Sequence, residues 1–311
     1  MWGSVMAVFL VYAVIFILFE DYDKNYLQPF EEGSDWHLLV FSIVVMLLLG
    51  GLLFRYAKRM DERISREQAA KENEMRSQLT QNIAHELKTP VASILGYTDT
   101  IIDNPDMTEQ TKDQFIARTN AQAKRLTALL QDISTLNRMD YAPGMLTMER
   151  VDVSELVADI VRETALAIET KQMQLHNCLP EDICIKGNWS LLYSIFRNLI
   201  DNAINYAGQG TVIEISARKQ GNCWAFSFSD NGVGVSAEHL SRIFERFYRV
   251  DKGRSRSMGG TGLGLAIVKN AVLLHGGTIT THNGNNGGVS FTFTLKKLKA
   301  ELHSPPPESQ N

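Results

Sequence analysis

Apolar and polar positions divide this chain into four regimes. Met1 to Phe19 carries no charged residue, and neither does Leu38 to Phe54. Each run is close to the length at which a helix crosses a bilayer. From Arg55 to Gln78 the chain turns to Arg, Lys, Glu and Ala without Gly or Pro, as in a continuous exposed helix. Met60, Ile64, Met75 and Leu79 mark a coiled-coil seam there, which Gln68 and Lys71 interrupt. Leu79, Ile83, Leu87, Val91 and Ile94 then recur every three or four residues and form one helical face, with Pro90 expected to bend the helix. After the turn Asp103-Asn104-Pro105-Asp106, Thr108 can cap a second helix with Glu109 in its first turn. On it Ile116, Thr119, Ala123, Leu126, Leu130 and Ile133 repeat the spacing. Two amphipathic helices joined in this way make a hairpin. It buries both faces by pairing with a second copy as a four-helix bundle, so a homodimer is expected.

Beyond Val151 the period changes again. Helices are expected over Val153–Glu169, Leu191–Tyr206 and Leu263–Leu274. Strands are expected over Val212–Ala217, Trp224–Ser229, Gly277–Thr281 and Val289–Leu295. This is an α+β sandwich, with helices on one face of a mixed sheet. The expected organisation is a transmembrane helix (1–19), an extracytoplasmic loop (20–37), a second transmembrane helix (38–54) and a signalling helix (55–78). An all-α dimerisation hairpin (79–141), a hinge (142–150), the sandwich domain (151–298) and a polar, Pro-rich, disordered tail (299–311) follow.

Length and charge refine this reading. The chain has 311 residues, enough for about two folded units. Its net charge of −4 gives no sign of a nucleic-acid partner. Cys178, Cys184 and Cys223 are odd in number and lack metal-ligand spacing, which suits small buried residues in a reducing compartment. Arg55, Lys58, Arg59 and Arg63 follow the second uncharged run, while the stretch 20–37 is acidic. Both termini are therefore expected in the cytoplasm of a two-span cell-membrane protein. No basic n-region or cleavage site supports a signal peptide. The acidic loop is too short to build a core. A stimulus would be read by the spans, by a membrane partner protein or by the acidic patch.

Candidate chemistry sits at four places. His85 lies away from the apolar face and points at solvent beside Glu86, with Thr89 one turn on. A carboxylate there can orient an imidazole nucleophile, although a solvated surface histidine has the same pattern. Asn198 and Asn202 share a helix face with Tyr206 one turn on. They form either an oxygen ligand to Mg²⁺ and phosphate partners, or an exposed polar stripe. Asp230-Asn231-Gly232-Val233-Gly234 follows a strand, so it is either a carboxylate beside a closely approached flat ligand or an ordinary Asn-Gly turn. Gly259-Gly260-Thr261-Gly262-Leu263-Gly264 opens a helix, as an anion site or a flexible linker. Between the last two, Arg246, Arg249, Lys252, Arg254 and Arg256 surround Phe244, Phe247 and Tyr248. Asp251–Gly260 reads as a lid over phosphates or as a basic loop.

These stretches together resemble the membrane sensor histidine kinases of two-component signalling, in particular the small, short-loop type that senses within the membrane. The likeness spans about Arg76 to Leu298. His85-Glu86-Leu87-Lys88-Thr89-Pro90 matches the histidine box and Asn198-Leu199-Ile200-Asp201-Asn202-Ala203 the asparagine box. Asp230–Gly234 and Gly260–Leu265 match the two glycine boxes, and Ile243–Arg249 the phenylalanine box. The resemblance implies that the sandwich is the ATP-binding fold shared with gyrases and chaperones. It implies that His85 takes the γ-phosphoryl group of ATP, with Glu86 as its base and Thr89 placing a water in the reverse, phosphatase step. Asn202 would hold Mg²⁺ with Asn198 nearby, Asp230 would bind the adenine amine and Tyr206 would line the pocket. Gly232, Gly234, Gly260, Thr261, Gly262, Leu263 and Gly264 would shape pocket and lid, and Arg246 or Arg249 would neutralise phosphate charge. The partner implied is a separate cognate response regulator. Asn205 departs from the family, which often has Lys there. The rival readings are a gyrase- or chaperone-type ATPase, a membrane-bound nucleotide-binding adaptor and a phosphatase-dominated sensor. The histidine box argues against the first, and the presence of His85 and Asn202 against the second.

Overall fold

A computed structural model describes residues 36–251, 260–284 and 287–297. The expected span 1–19, nearly all of the loop 20–37, the lid residues 252–259 and the tail 299–311 lie outside the described residues. The chain divides into two compact units, Met1–Arg76 and Ser77–Asn311.

The described part of the first unit is helical and belongs to α1, Trp36–Asp103. Its Leu47, Leu48, Leu52 and Phe54 side chains are exposed. Among the described residues no helix is long and apolar enough to cross a membrane. The described residues thus do not support the expected span 38–54, and the expected span 1–19 lies outside them. Helix α1 also shows no boundary at residue 78 and continues through Pro90, which is buried. Thr89 and Ser93 turn their hydroxyls onto the carbonyls of His85 (3.3 Å) and Thr89 (3.0 Å) around the residue that lacks an N–H.

In the second unit α1 is followed by α2, Glu109–Tyr141, capped as expected by Thr108, whose side chain accepts from the Thr111 N–H. Helix α2 has two apolar faces, and the sequence pattern reveals one of them. Ile116 and Leu130 of the expected seam stay exposed in the single chain. Leu129, Leu136 and Met139, on another face, are buried in the core of the sandwich domain. The expected hinge is structured: Pro143–Met145 forms a 3-10 turn, and β1, Glu149–Asp152, begins inside it.

The sandwich continues with α3 (Val153–Thr170), β2 (Gln174–Cys178), β3 (Cys184–Gly187), α4 (Trp189–Tyr206), β4 (Val212–Gln220) and β5 (Cys223–Asp230). A short α5 (Ala237–Leu240), α6 (Gly264–Leu274), β6 (Ile279–Asn283) and β7 (Val289–Lys296) complete it. The five-stranded sheet runs β2-β4-β5-β7-β6, with β2 parallel to β4 and the other pairs antiparallel. Strands β1 and β3 form a separate antiparallel pair. The sequence shows no sign of β1 and β2 because they are short and largely exposed, or of β3, which buries Ile185 and Gly187 but has only four residues, too few for alternation to mark a strand. Helix α4 turns Leu192, Ile195, Phe196, Leu199 and Ile200 onto the sheet. There Phe196 meets Phe226 edge-on at 5.5 Å and Phe293 at 5.7 Å, while Phe226 stacks on Phe293 at 5.1 Å. Such pairs add about 0.5–1.5 kcal/mol each beyond the area they bury.

One buried histidine joins the end of α6 to the start of α4. His275 Nε2 accepts the Asn188 N–H (3.0 Å), so Nδ1 carries the proton and donates to the Ala271 carbonyl (2.7 Å). Gly187 is required beside it, because a Cβ there would stand 2.7 Å from the ring. Burial pushes His275 below its ordinary value of 6.5, against the Ala271 bond. On acidification the unfolded chain takes this proton first. The contribution is complete above about pH 6.5 and is lost below it, with a slope of up to about 1.4 kcal/mol per pH unit. Thermal unfolding between pH 7.5 and 5.5 is expected to show a Tm that falls more steeply in the parent than in His275→Gln.

Candidate functional site

Three elements converge from the sandwich. On α4, Asn198 Nδ2 donates to the Ser194 carbonyl (2.8 Å), and its Oδ1 lies where a Cβ on Gly264 would come within 2.5 Å. Glycine at 264 therefore lets α6 begin against the Asn198 amide. The Asn202 Nδ2 is buried without a partner in the described structure. Asp201 turns away from this face and pairs with Arg197 Nε (2.9 Å), which itself reaches Glu163 (3.0 Å). Burial raises the Asp201 carboxyl and Arg197 opposes the shift.

At the end of β5, the Asp230 carboxylate accepts N–H bonds from Gly232 (2.9 Å) and Val289. Burial pushes the Asp230 carboxyl up, and the two backbone bonds pull against it. A Cβ on Gly232 would lie 2.2 Å from the Ala207 carbonyl oxygen, so only glycine lets this turn pass the end of α4 directly after Tyr206. Gly234 is left-handed at φ +71. Just beyond it, Val235 exchanges two hydrogen bonds with the Asn283 amide, 3.1 Å to Oδ1 and 2.6 Å from Nδ2. Asn283 and Gly288, whose Cβ would stand 1.8 Å from the Asp230 carbonyl oxygen, escape sequence reasoning. The Gly- and Asn-rich run 283–288 is the signal that could have flagged them.

The third element is Phe244–Arg249 with Gly260–Gly264. Phe247 is itself left-handed (φ 63), as is Gly262 (φ +74), and the Phe247 N–H donates to the Gly262 carbonyl at 2.7 Å. The Tyr248 hydroxyl meets His239 Nδ1 at 2.6 Å, with Arg242 over its ring at 4.3 Å. These contacts fix the direction of the arginines, and both point at the hairpin. Arg246 pairs with Asp140 at 2.8 Å. Arg249 Nη2 donates to the Gly260 carbonyl (2.7 Å) and to Glu86 Oε2 (2.9 Å), and Nη1 to Oε1 (3.5 Å). Thr261 Oγ1 donates to Asp132 (2.8 Å) and accepts the Leu263 N–H (3.2 Å). Burial raises the Asp132 carboxyl against that bond.

On the hairpin His85 is exposed, as its helical position predicts. Glu86 differs from expectation. Its described partners are Arg249 and Arg125 rather than the imidazole beside it. Arg246 and Arg249, expected at phosphate, are likewise engaged on hairpin carboxylates. The structure thus gathers Glu86, Arg249, Gly260, Thr261 and Leu263 into one cluster, sets Asn198 against Gly264, and sets Gly232 beside Tyr206. Arg125, Asp132 and Asp140 escape sequence reasoning, because the heptad seam of α2 does not include the face that carries Leu129, Leu136 and Met139.

Residues 75–142 match the family described as "His Kinase A (phospho-acceptor) domain", and residues 187–299 match "Histidine kinase-, DNA gyrase B-, and HSP90-like ATPase". The chain is 34% identical over 233 residues to the sensor-like histidine kinase SenX3 of Mycolicibacterium smegmatis, covering 74% of this chain and 60% of that protein. The chain therefore spans less than two thirds of that relative's length. In fold it is similar to the Acinetobacter baumannii histidine kinase AdeS (TM-score 0.57, 23% identity, 68% of this chain and 98% of that one). It is also similar in fold to the histidine kinase ThkA in complex with response regulator protein TrrA (TM-score 0.57, 23% identity, 71% of this chain and 61% of that one).

Proposed function

By its residues 75–142 and 187–299 the chain belongs to the two-component sensor histidine kinases, and on that premise we propose that it transfers the γ-phosphoryl group of ATP to His85 and then to an aspartate of a separate response regulator. The observation that carries this reading is Arg249. One guanidinium bonds both the Gly260 carbonyl of the glycine-rich loop and the carboxylate of Glu86, the neighbour of exposed His85. The glycine-rich loop and the carboxylate next to the expected acceptor thus meet in one cluster.

The backbone that opens α6 offers N–H groups and the positive end of the helix to phosphates. Asp230 would accept a hydrogen bond from the adenine amine, with Tyr206, Gly232 and Gly234 around the base. The residues present fit Mg²⁺. The orphaned Asn202 carboxamide can turn its oxygen outward as a ligand. The ion would supply charge neutralisation on the phosphate oxygens. A ring nitrogen of His85 attacks the γ-phosphorus as the bond to the bridging oxygen breaks, and ADP leaves with that oxygen. The proton on the other ring nitrogen passes to Glu86. For this Glu86 must be released by Arg249, which then meets the phosphate charge. In the reverse hydrolysis Thr89 would place the attacking water.

A homodimer is supported by the exposed Ile116 and Leu130 seam together with exposed Leu95 and Ile102 on α1. A regulator partner is supported by the likeness to ThkA, solved with TrrA. A membrane span over 38–54, with sensing by it or by a membrane partner, is supported by its lack of charge, the basic residues after it and its exposed leucines. The test is incubation of the full chain in detergent with Mg²⁺ and γ-labelled ATP. Acid-labile, alkali-stable label is expected. A chain that binds nucleotide and takes no label overturns the kinase and leaves an adaptor.

A further inference from the structure

Glu86 is held by two guanidiniums from different parts of the fold. Arg249 arrives from the sandwich domain, 163 residues along the chain, and reaches Oε2 at 2.9 Å. Arg125 stands on α2 of the hairpin itself, with Nη2 3.5 Å from the same oxygen. The three side chains are nearly buried: 6% exposed for Arg249, 13% for Arg125 and 14% for Glu86. A carboxylate so enclosed is costly to strip of a cationic partner.

The proposed transfer sets two demands on Glu86 that conflict. Arg249 must leave it to reach phosphate, and Glu86 must stay ionised and aimed at His85. Arg249 moves with the sandwich domain, whereas Arg125 belongs to the hairpin that carries both Glu86 and His85. We propose that Arg125 is a positioning residue for phosphoryl transfer, keeping Glu86 paired and oriented while Arg249 exchanges between that carboxylate and the nucleotide. This rests on the kinase reading. Arg125 acts through Glu86 and need not touch ATP, so its loss should slow the chemical step without weakening nucleotide binding. A guanidinium next to a carboxylate is also the right partner for that exchange. Arg125 Nη2 already stands 3.5 Å from the same oxygen, so the carboxylate passes from one cation to the other without an unpaired interval.

The experiment uses the full chain in detergent and follows the initial rate of labelling against ATP concentration. Arg125→Ala is expected to lower kcat about tenfold while KM for ATP stays within about twofold. Arg125→Lys, which keeps the charge, is expected to recover most of the rate. In the Glu86→Gln background, Arg125→Ala is expected to change the residual rate by less than about twofold, because residues acting as a unit are not additive. An undiminished rate in Arg125→Ala, or an equal loss in both backgrounds, overturns the proposal. A rise in KM with kcat unchanged overturns it too and makes Arg125 a binding residue. If the parent binds nucleotide but takes no label, the kinase reading itself fails and this proposal with it. If the parent labels and Arg125→Ala labels equally, the proposal alone fails.

Discussion

Replacing His85 by glutamine is expected to abolish labelling from γ-labelled ATP altogether, while nucleotide affinity stays within about twofold of the parent. The two halves of this expectation come from the same observation. The His85 side chain is exposed, so its replacement leaves no cavity and strands no buried polar group. Surface changes of this kind usually shift stability by no more than about 0.5 kcal/mol. The loss is therefore chemical. A glutamine amide nitrogen has its lone pair in conjugation with the carbonyl and cannot attack phosphorus, so no slow residual route is left on that side chain. Labelling and titration with a fluorescent ATP analogue on one preparation check both halves. Label that persists would move the acceptor elsewhere, and a collapse of affinity would place His85 in the nucleotide site.

The second large effect is expected at Asp230. Asp230→Ala should weaken ATP binding about a hundredfold and level the preference for ATP over GTP, because a site built to bond a polar group discriminates strongly for it. The carboxylate stands at the end of β5, holds the Gly232 N–H at 2.9 Å and takes a second bond from Val289. Removing it takes away the acceptor for the amine and orphans two backbone donors at once. Asp230→Asn keeps an acceptor oxygen and the shape of the turn, and should lose much less. Competition titrations with ATP and GTP decide the case. A uniform loss for both nucleotides in Asp230→Ala would mean that the turn collapsed and that the residue does not read the base.

How legible this was in the sequence depends on what kind of contact held each part. The helices announced themselves through apolar repeats, and α4 and the helix-opening glycines stand almost where the spacing put them. His85 at solvent, and Asn198 and Asn202 on one face of α4, followed from helical geometry alone. What stayed hidden is what joins distant parts of the chain. Nothing local marks Arg249 as a partner of Glu86, Arg246 as a partner of Asp140 or Thr261 as a partner of Asp132, since each pair is brought together only by packing. The heptad reading of α2 found Ile116 and Leu130 and passed over Leu129, Leu136 and Met139. A helix with two apolar faces shows a single seam when only one period is sought. Strand β2, at the sheet edge, buries almost nothing and left no pattern to find.

The aromatic cluster of Phe196, Phe226 and Phe293 bears on how this protein opens. Asn202 lies on the helix that carries Phe196, and Asp230 ends the strand that carries Phe226. The residues that would read the nucleotide are therefore anchored in the aromatic core of the domain, where amides are expected to exchange with solvent only when the whole domain opens. The hairpin is joined to this domain by polar links that break in small local fluctuations, an ion pair at Arg246 and a hydroxyl at Thr261, and also by Leu129, Leu136 and Met139, which are buried in the domain's core. The polar links can therefore open on their own, whereas full release of α2 also uncovers these three side chains and draws on the same core that anchors Asn202 and Asp230.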